Sequence, residues 1–226
     1  NSPLPGLHRS GRRGALMVVK LVSLFGKHLD LNGDQSNLKV LAKRLSWLGV
    51  QSEIVSLDKG QALPADADLI FLGHGSKAAW ADIDSALQQL VPELQELIAK
   101  KVAFMAVASG HERAIELGLL PGSAAARDRI SKFEIAQLDD LEILGYLNSA
   151  TDAPVIQKHG LAIGTQLHGP VFAKNPEFTD VYIRELAGAR GLALVSSTEV
   201  EQKNNASLVA DIVSQVWDLE RDLASE

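Results

Sequence analysis

The sequence predicts an α/β fold in which a doubly wound, mostly parallel sheet carries helices on both faces. Three observations predict it. Short apolar runs recur along the chain (Val18–Phe25, Asp68–Leu72, Val102–Ala108), and amphipathic segments separate them, which is the alternation of parallel strands with crossover helices. The runs are apolar throughout rather than alternating, as strands buried on both faces are. At 226 residues, with 46% apolar and 22% charged side chains, the chain has the composition of a folded domain.

Residues 1–16 are expected to be a flexible leader. Asn1 to Gly14 holds two prolines, three glycines and Arg9, Arg12 and Arg13 without apolar periodicity. Met17 is the expected native start, and residues 17–226 are expected to form a single domain. Val18–Phe25 reads as the first strand. Asn37–Leu48 places Leu38, Leu41, Leu45 and Leu48 at helical spacing, and Gly49 stops the helix. Ser52–Leu57 and Asp68–Leu72 read as strands, the latter entering the turn Gly73-His74-Gly75-Ser76. Ile83–Lys100 reads as a helix that Pro92 should kink or divide. Val102–Ala108 is a buried strand, and His111–Leu117 a helix after a sharp turn.

From Pro121 to Ala153 the pattern weakens. Ala124–Ser131 is small and polar, and Ile135–Tyr146 reads as strands or connecting loops. Val155–Gln166 gives one or two short strands broken at Gly160 and Gly164. Phe178–Gly188 is a helix, Ala193–Val195 a short strand, Glu199–Asn205 a polar linker and Ala206–Leu223 a long closing helix. The sequence shows no internal repeat.

Composition narrows the chemistry. The net charge of −6 argues against a general nucleic-acid surface. No apolar run approaches the ~18 residues of a membrane span. No secretion signal is visible, so a cytoplasmic location is expected. The sequence has no cysteine, which excludes disulfides, thiolate metal sites and a cysteine nucleophile. The six histidines lack ligand spacing, and neither metal nor cofactor is expected. Asp30-Leu31-Asn32-Gly33-Asp34 has the look of a calcium loop, but Leu41 stands where the closing glutamate belongs. A helix-capping loop, with Asp34 or Ser36 near the cap, fits better.

Ligands of open parallel sheets bind beyond the carboxyl ends of the strands. Gly26–Asn37, Gly73–Lys77, Ala106–Glu112 and Leu167–Asn175 fall there, and the architecture should unite at least three of them. Ala106 to Glu112 has the strand–turn–helix context of a nucleophile elbow. The apex by this spacing is Ala108, which carries no reactive group. Ser109 comes one residue late, and Val107 and His111 stand where a hydrolase elbow has glycines. Spacing alone therefore favours a tight, non-catalytic turn. The backbone of Gly73-His74-Gly75-Ser76 could cradle an oxyanion, or simply use glycine for positive φ. Gly169 and Pro170 fix the backbone after His168, the histidine best set to act as a base.

Leu24 to Asn37, Gly73 to Lys77, and Leu167-His168-Gly169-Pro170 followed by Lys174-Asn175-Pro176 resemble motifs of the cobyric-acid-synthase-like class I glutamine amidotransferases. The nearest branch is the glutaminase subunit of lipid II isoglutaminyl synthase. Ala106–Glu112 is similar to the pattern small-apolar-Cys-x-Gly-His-Gln, and the resemblance covers most of Met17 to Arg190.

The resemblance implies a flavodoxin-like fold and a thiolate that attacks the side-chain amide of L-glutamine. Histidine moves the protons, and ammonia passes to a Mur-ligase-like or cobyric-acid-type synthetase acting on a precursor such as that of peptidoglycan. Carried over by residue, His168 is the base. The backbone at Gly75 and Ser109, next to Gly110, forms the oxyanion hole, and the cysteine falls on Ala108. Glu112 replaces the elbow's glutamine, and Asn148-Ser149-Ala150-Thr151 replaces an Asn-His-Gly-Gly stretch. A single Cys→Ala exchange does not account for Glu112 and Ser149, so the resemblance implies a degenerate amidotransferase. The alternatives are a catalytically dead binding or scaffold module with the same fold, and a serine hydrolase using Ser109 with His111 or His168.

Overall fold

A computed structural model describes residues 18–195 and 206–224, with side chains from 208 in the second stretch. The expected leader and the linker at Glu199–Asn205 lie outside the described residues. Strands β1 (Val18–Leu24), β2 (Gln51–Leu57), β3 (Leu69–Leu72), β4 (Ala103–Val107), β7 (Ile156–His159) and β8 (Ala162–Thr165) form one sheet in the order β2-β1-β3-β4-β8-β7. All its neighbours run parallel except β7, an antiparallel edge strand. Helices α1 (Ser36–Trp47), α2 (Lys77–Ala99), α3 (Ser109–Glu116), α4 (Val171–Lys174), α5 (Pro176–Arg190) and α6 (Ala206–Ala224) complete the chain with a second, antiparallel sheet.

Every residue of β3 and β4 is buried, and the pleat sends alternate side chains to two separate cores. Met105 and Val107 join Leu38, Leu41 and Leu45 of α1 and Ile183 and Leu186 of α5. Phe104 and Ala106 join Ile83, Leu87 and Leu94 of α2 and Ala114 and Ile115 of α3. Burial on both faces is what makes these strands continuous apolar runs in sequence.

Several expectations need correction. Helix α2 runs unbroken through Pro92 and begins at Lys77, where the Ser76 side chain caps it by accepting from Ala79 N (3.2 Å). Leu87 and Leu94, both fully buried on either side of Pro92, outweigh a proline cost of about 3 kcal/mol. Asp34 and Ser36 do flank the N-cap of α1, but neither side chain bonds it. The cap position is Gln35, without a side-chain bond, and its N–H donates instead to Asp30 Oδ1 (2.9 Å).

The indistinct stretch after Pro121 is a long hairpin, β5 (Ala126–Leu138) and β6 (Leu141–Thr151), closed by Asp139-Asp140 with Asp139 at φ 51°. A two-residue strand, β9 (Leu167–His168), adds to β6 and completes the order β5-β6-β9. Gly160 (φ 61°) turns β7 into β8, whereas Gly164 lies inside β8 and breaks nothing. Residues 193–195 are not a strand, and Val195 N donates to Leu48 O (3.0 Å) in passing. Among the described residues no helix is long and apolar enough to cross a membrane.

Candidate active site

Strand β4 ends at Val107 and α3 begins at Ser109, so Ala108 alone makes the turn, at φ 50° and ψ −120°. A residue with a Cβ occupies that region under strain of about 1–3 kcal/mol. The surroundings hold it there. Ala108 N donates to Thr165 O (2.7 Å), and Ala108 O accepts from His111 N (2.9 Å), Glu112 N (3.1 Å) and Gln166 Nε2 (3.3 Å). Gly110 permits the close approach to β3, because a Cβ there would stand 2.4 Å from Gly73 O and 2.5 Å from Leu72 O. The turn is as tight as spacing alone suggests, a single residue between strand and helix. It has the strained backbone of a nucleophile elbow, with a methyl group at its apex.

All four candidate segments converge here. Asn32 Nδ2 lies 2.5 Å from His168 Nδ1, Leu31 N donates to His74 O (3.2 Å), and the His74 and His168 rings meet edge-on at 4.8 Å. His74 Nδ1 is in turn 2.7 Å from Ser109 Oγ. Buried Asn37 ties the opening loop to the histidine turn: its Nδ2 donates to Asp34 O (3.0 Å) and Gly169 O (3.2 Å), and its Oδ1 accepts from Phe172 N (3.1 Å). Burial pushes the Asp34 carboxyl up from its ordinary pKa, against the pull of the Asn32 and Gly169 backbone and of His168.

His168 has both ring nitrogens engaged. Its Nε2 is 3.1 Å from Asn148 O, and a carbonyl only accepts, so the ring proton sits on Nε2. Nδ1 is then the acceptor of the Asn32 amide. Ser109 is equally committed. Its Oγ accepts from Trp80 Nε1 (2.8 Å) and Gly75 N (3.2 Å) and sits within bonding distance of His74 Nδ1 and Gly75 O (3.3 Å). Ser109 N donates to His74 Nδ1 (3.3 Å), so that nitrogen carries a lone pair. Burial, and then the neighbouring His168, lower the His74 pKa to about 4.

Glu112 and the hairpin also meet. Glu112 Oε1 accepts from Thr151 Oγ1 (2.8 Å) and Ser149 Oγ (3.3 Å). Beside them lies a cavity of about 420 Å³ lined by Trp80, Asp84, Ser109, Glu112, Arg113 and Glu116. Arg113 is already neutralised there by Asp84 and Glu116. His111 belongs to the core, not the site. It is fully buried against Gly164, contacts Gln157 and Gln166, and burial lowers its pKa to about 4. Ser109 thus has neither His111 nor His168 as a hydrogen-bonded base; its imidazole partner is His74. Among the described residues no cluster of three or more potential ligands could hold a metal ion.

Sequence reasoning missed Trp80, Asn32, Asn37 and Gln166. Each acts across loops, and only the helical position of Trp80 one turn past the glycine turn could have pointed to it.

No protein-family model matches the sequence, and no curated protein matches it. Solved structures do. A chain of PurLQS from Thermotoga maritima aligns with a TM-score of 0.50 at 14% identity, over 76% of this chain and 97% of that one. A glutamine amidotransferase from the same organism gives 0.49 at 16%, over 89% and 98%. The glutaminase domain of Trypanosoma brucei CTPS, with bound acivicin, gives 0.46 at 13%, over 79% and 96%. At these identities the likeness is one of fold. This chain has a flavodoxin-like, doubly wound fold, which it shares with the PurLQS chain.

Proposed function

We propose that this chain is a glutamine-amidotransferase-type subunit whose own glutaminase chemistry has been lost, and that residues 17–226 act as one domain in the cytoplasm. Its partner is an ATP-dependent synthetase of Mur-ligase-like or cobyric-acid type. The observation that carries this reading is Ala108, held in a strained elbow where the motif resemblance calls for cysteine. Strain of this kind is retained where surrounding structure over-determines it, and an alanine gains nothing from it.

With cysteine at that position the chemistry would run as follows. The thiolate adds to the side-chain amide carbon of L-glutamine, and the N–H groups of Gly75 and Ser109 hold the developing oxyanion. His168 passes a proton to the leaving ammonia, and water then releases glutamate from the thioester. A methyl group forms no such bond, so the step is absent in this chain.

The engagement of Ser109 Oγ and of both His168 nitrogens favours a second reading, in which the chain is a non-enzymatic binding or scaffold module. The two readings differ over whether the glutamine pocket persists. The test is alkylation of the Ala108→Cys protein by the glutamine-like electrophile 6-diazo-5-oxo-L-norleucine, followed by mass spectrometry. A single adduct at position 108 that L-glutamine prevents is the result expected. An unmodified cysteine, or one modified equally with and without glutamine, overturns the glutamine-pocket reading and leaves the scaffold module.

A further inference from the structure

We infer that the Gly75 N–H and the Trp80 indole N–H form a binding hole for a small oxyanion, and that the Ser109 hydroxyl holds this hole closed. The inference rests on the placing of Gly75 beside the reacting carbonyl in the proposed function, and it extends that reading to Trp80 and Ser109.

Two donors from different elements converge on one atom. Gly75 N, in the turn after β3, is 3.2 Å from Ser109 Oγ, and Trp80 Nε1, on the first turn of α2, is 2.8 Å from it. Two N–H groups aimed at a single point are what a carboxylate oxygen or a tetrahedral oxyanion requires. A hydroxyl satisfies the same demand: it accepts both bonds and passes its own proton to a third group. His74 Nδ1, at 2.7 Å, is that group.

The backbone of both donor residues is held by contacts other than the serine. Gly75 is packed so closely that a Cβ there would stand 2.6 Å from the Leu29 side chain and 3.2 Å from His28 O, and the Trp80 backbone is anchored in the helix by its N–H to Ser76 O (3.0 Å). Ser109 also lines the cavity of about 420 Å³, so the point it occupies lies at the edge of an accessible space. A covalently tethered hydroxyl outcompetes a free anion there, because its local concentration never falls.

The consequence for the chemistry is specific. Restoring a nucleophile at position 108 leaves the intermediate without a free hole, so two substitutions are needed rather than one.

The test uses the full chain, ¹⁵N-labelled, as wild type, Ser109→Ala and Ser109→Ala/Trp80→Phe, titrated with sodium formate at constant ionic strength. In Ser109→Ala the Gly75 amide and Trp80 indole signals are expected to shift saturably. Wild type should show no saturable shift, and the double variant should bind at least tenfold more weakly. An equal response in wild type, or no response in a folded Ser109→Ala chain, overturns the inference. The readout needs no cysteine and no glutamine, so it stands or falls separately from the labelling result.

Discussion

Thr151 Oγ1 donates to Glu112 Oε1 at 2.8 Å, joining the helix after the elbow to the end of β6. Ser149 Oγ adds a second bond to the same oxygen at 3.3 Å. These are places where the sequence departs from the amidotransferase motifs it resembles, and the departures touch. The polar groups at these three positions satisfy one another.

That coupling is measurable. Glu112→Gln, Thr151→Val and the double variant, compared by urea denaturation, should give an interaction energy of about 1 kcal/mol. Additivity would show that the bond contributes nothing beyond its parts.

Asn37 joins the opening loop, the turn after His168 and α4 through three hydrogen bonds. Asn37→Ala leaves Phe172 N and Gly169 O without that partner. The expected loss is about 3 kcal/mol in denaturant, together with displaced amide signals around His168.

Ala108 carries backbone strain at φ 50°, so relieving it should stabilise the fold. Ala108→Gly accepts φ 50° without a Cβ and should raise stability by about 1 kcal/mol. Gly110→Ala should do the opposite. Its Cβ would meet two backbone oxygens of the Leu72-Gly73 segment, which cannot yield as a flexible side chain can, and a loss of about 3 kcal/mol is expected.

Acid should weaken the protein through its buried imidazoles. The unfolded value for each is near 6.5, and burial lowers His111 and His74 to about 4 in the fold. The unfolded chain therefore takes up protons first as pH falls. The stability that the neutral imidazoles contribute should be lost between about pH 6.5 and about pH 4, with His111 contributing up to about 3 kcal/mol. Unfolding measured against pH for wild type and His111→Gln checks this, since the variant should show a flatter decline.

The parallel sheet was legible because β1, β3 and β4 are buried on both faces, which writes a continuous apolar run. The β5–β6 hairpin was not. Edge strand β5 exposes Arg127, Asp128, Arg129 and Lys132, and Asp139-Asp140 turns the chain without the glycine that marks a hairpin. Helix α2 begins earlier than its apolar period because Lys77 and Ala78 are exposed and the start rests on the Ser76 cap. At the site, the loops holding Gly75, Ala108, Ser109 and His168 were legible as chain leaving the carboxyl ends of strands. Asn32 and Trp80 were not, because each reaches its partner from another segment, and no local spacing records that.

Under the proposed function, Ala108 stands where a strained elbow would present a nucleophile to glutamine. The most direct measurement is ammonia release from L-glutamine by the native chain, Ala108→Cys and Ala108→Cys/Ser109→Ala, assayed side by side. The account predicts no release above blank from the native chain, little from the single variant and clear turnover from the double variant. Release by the native chain at a rate matching the double variant would contradict it.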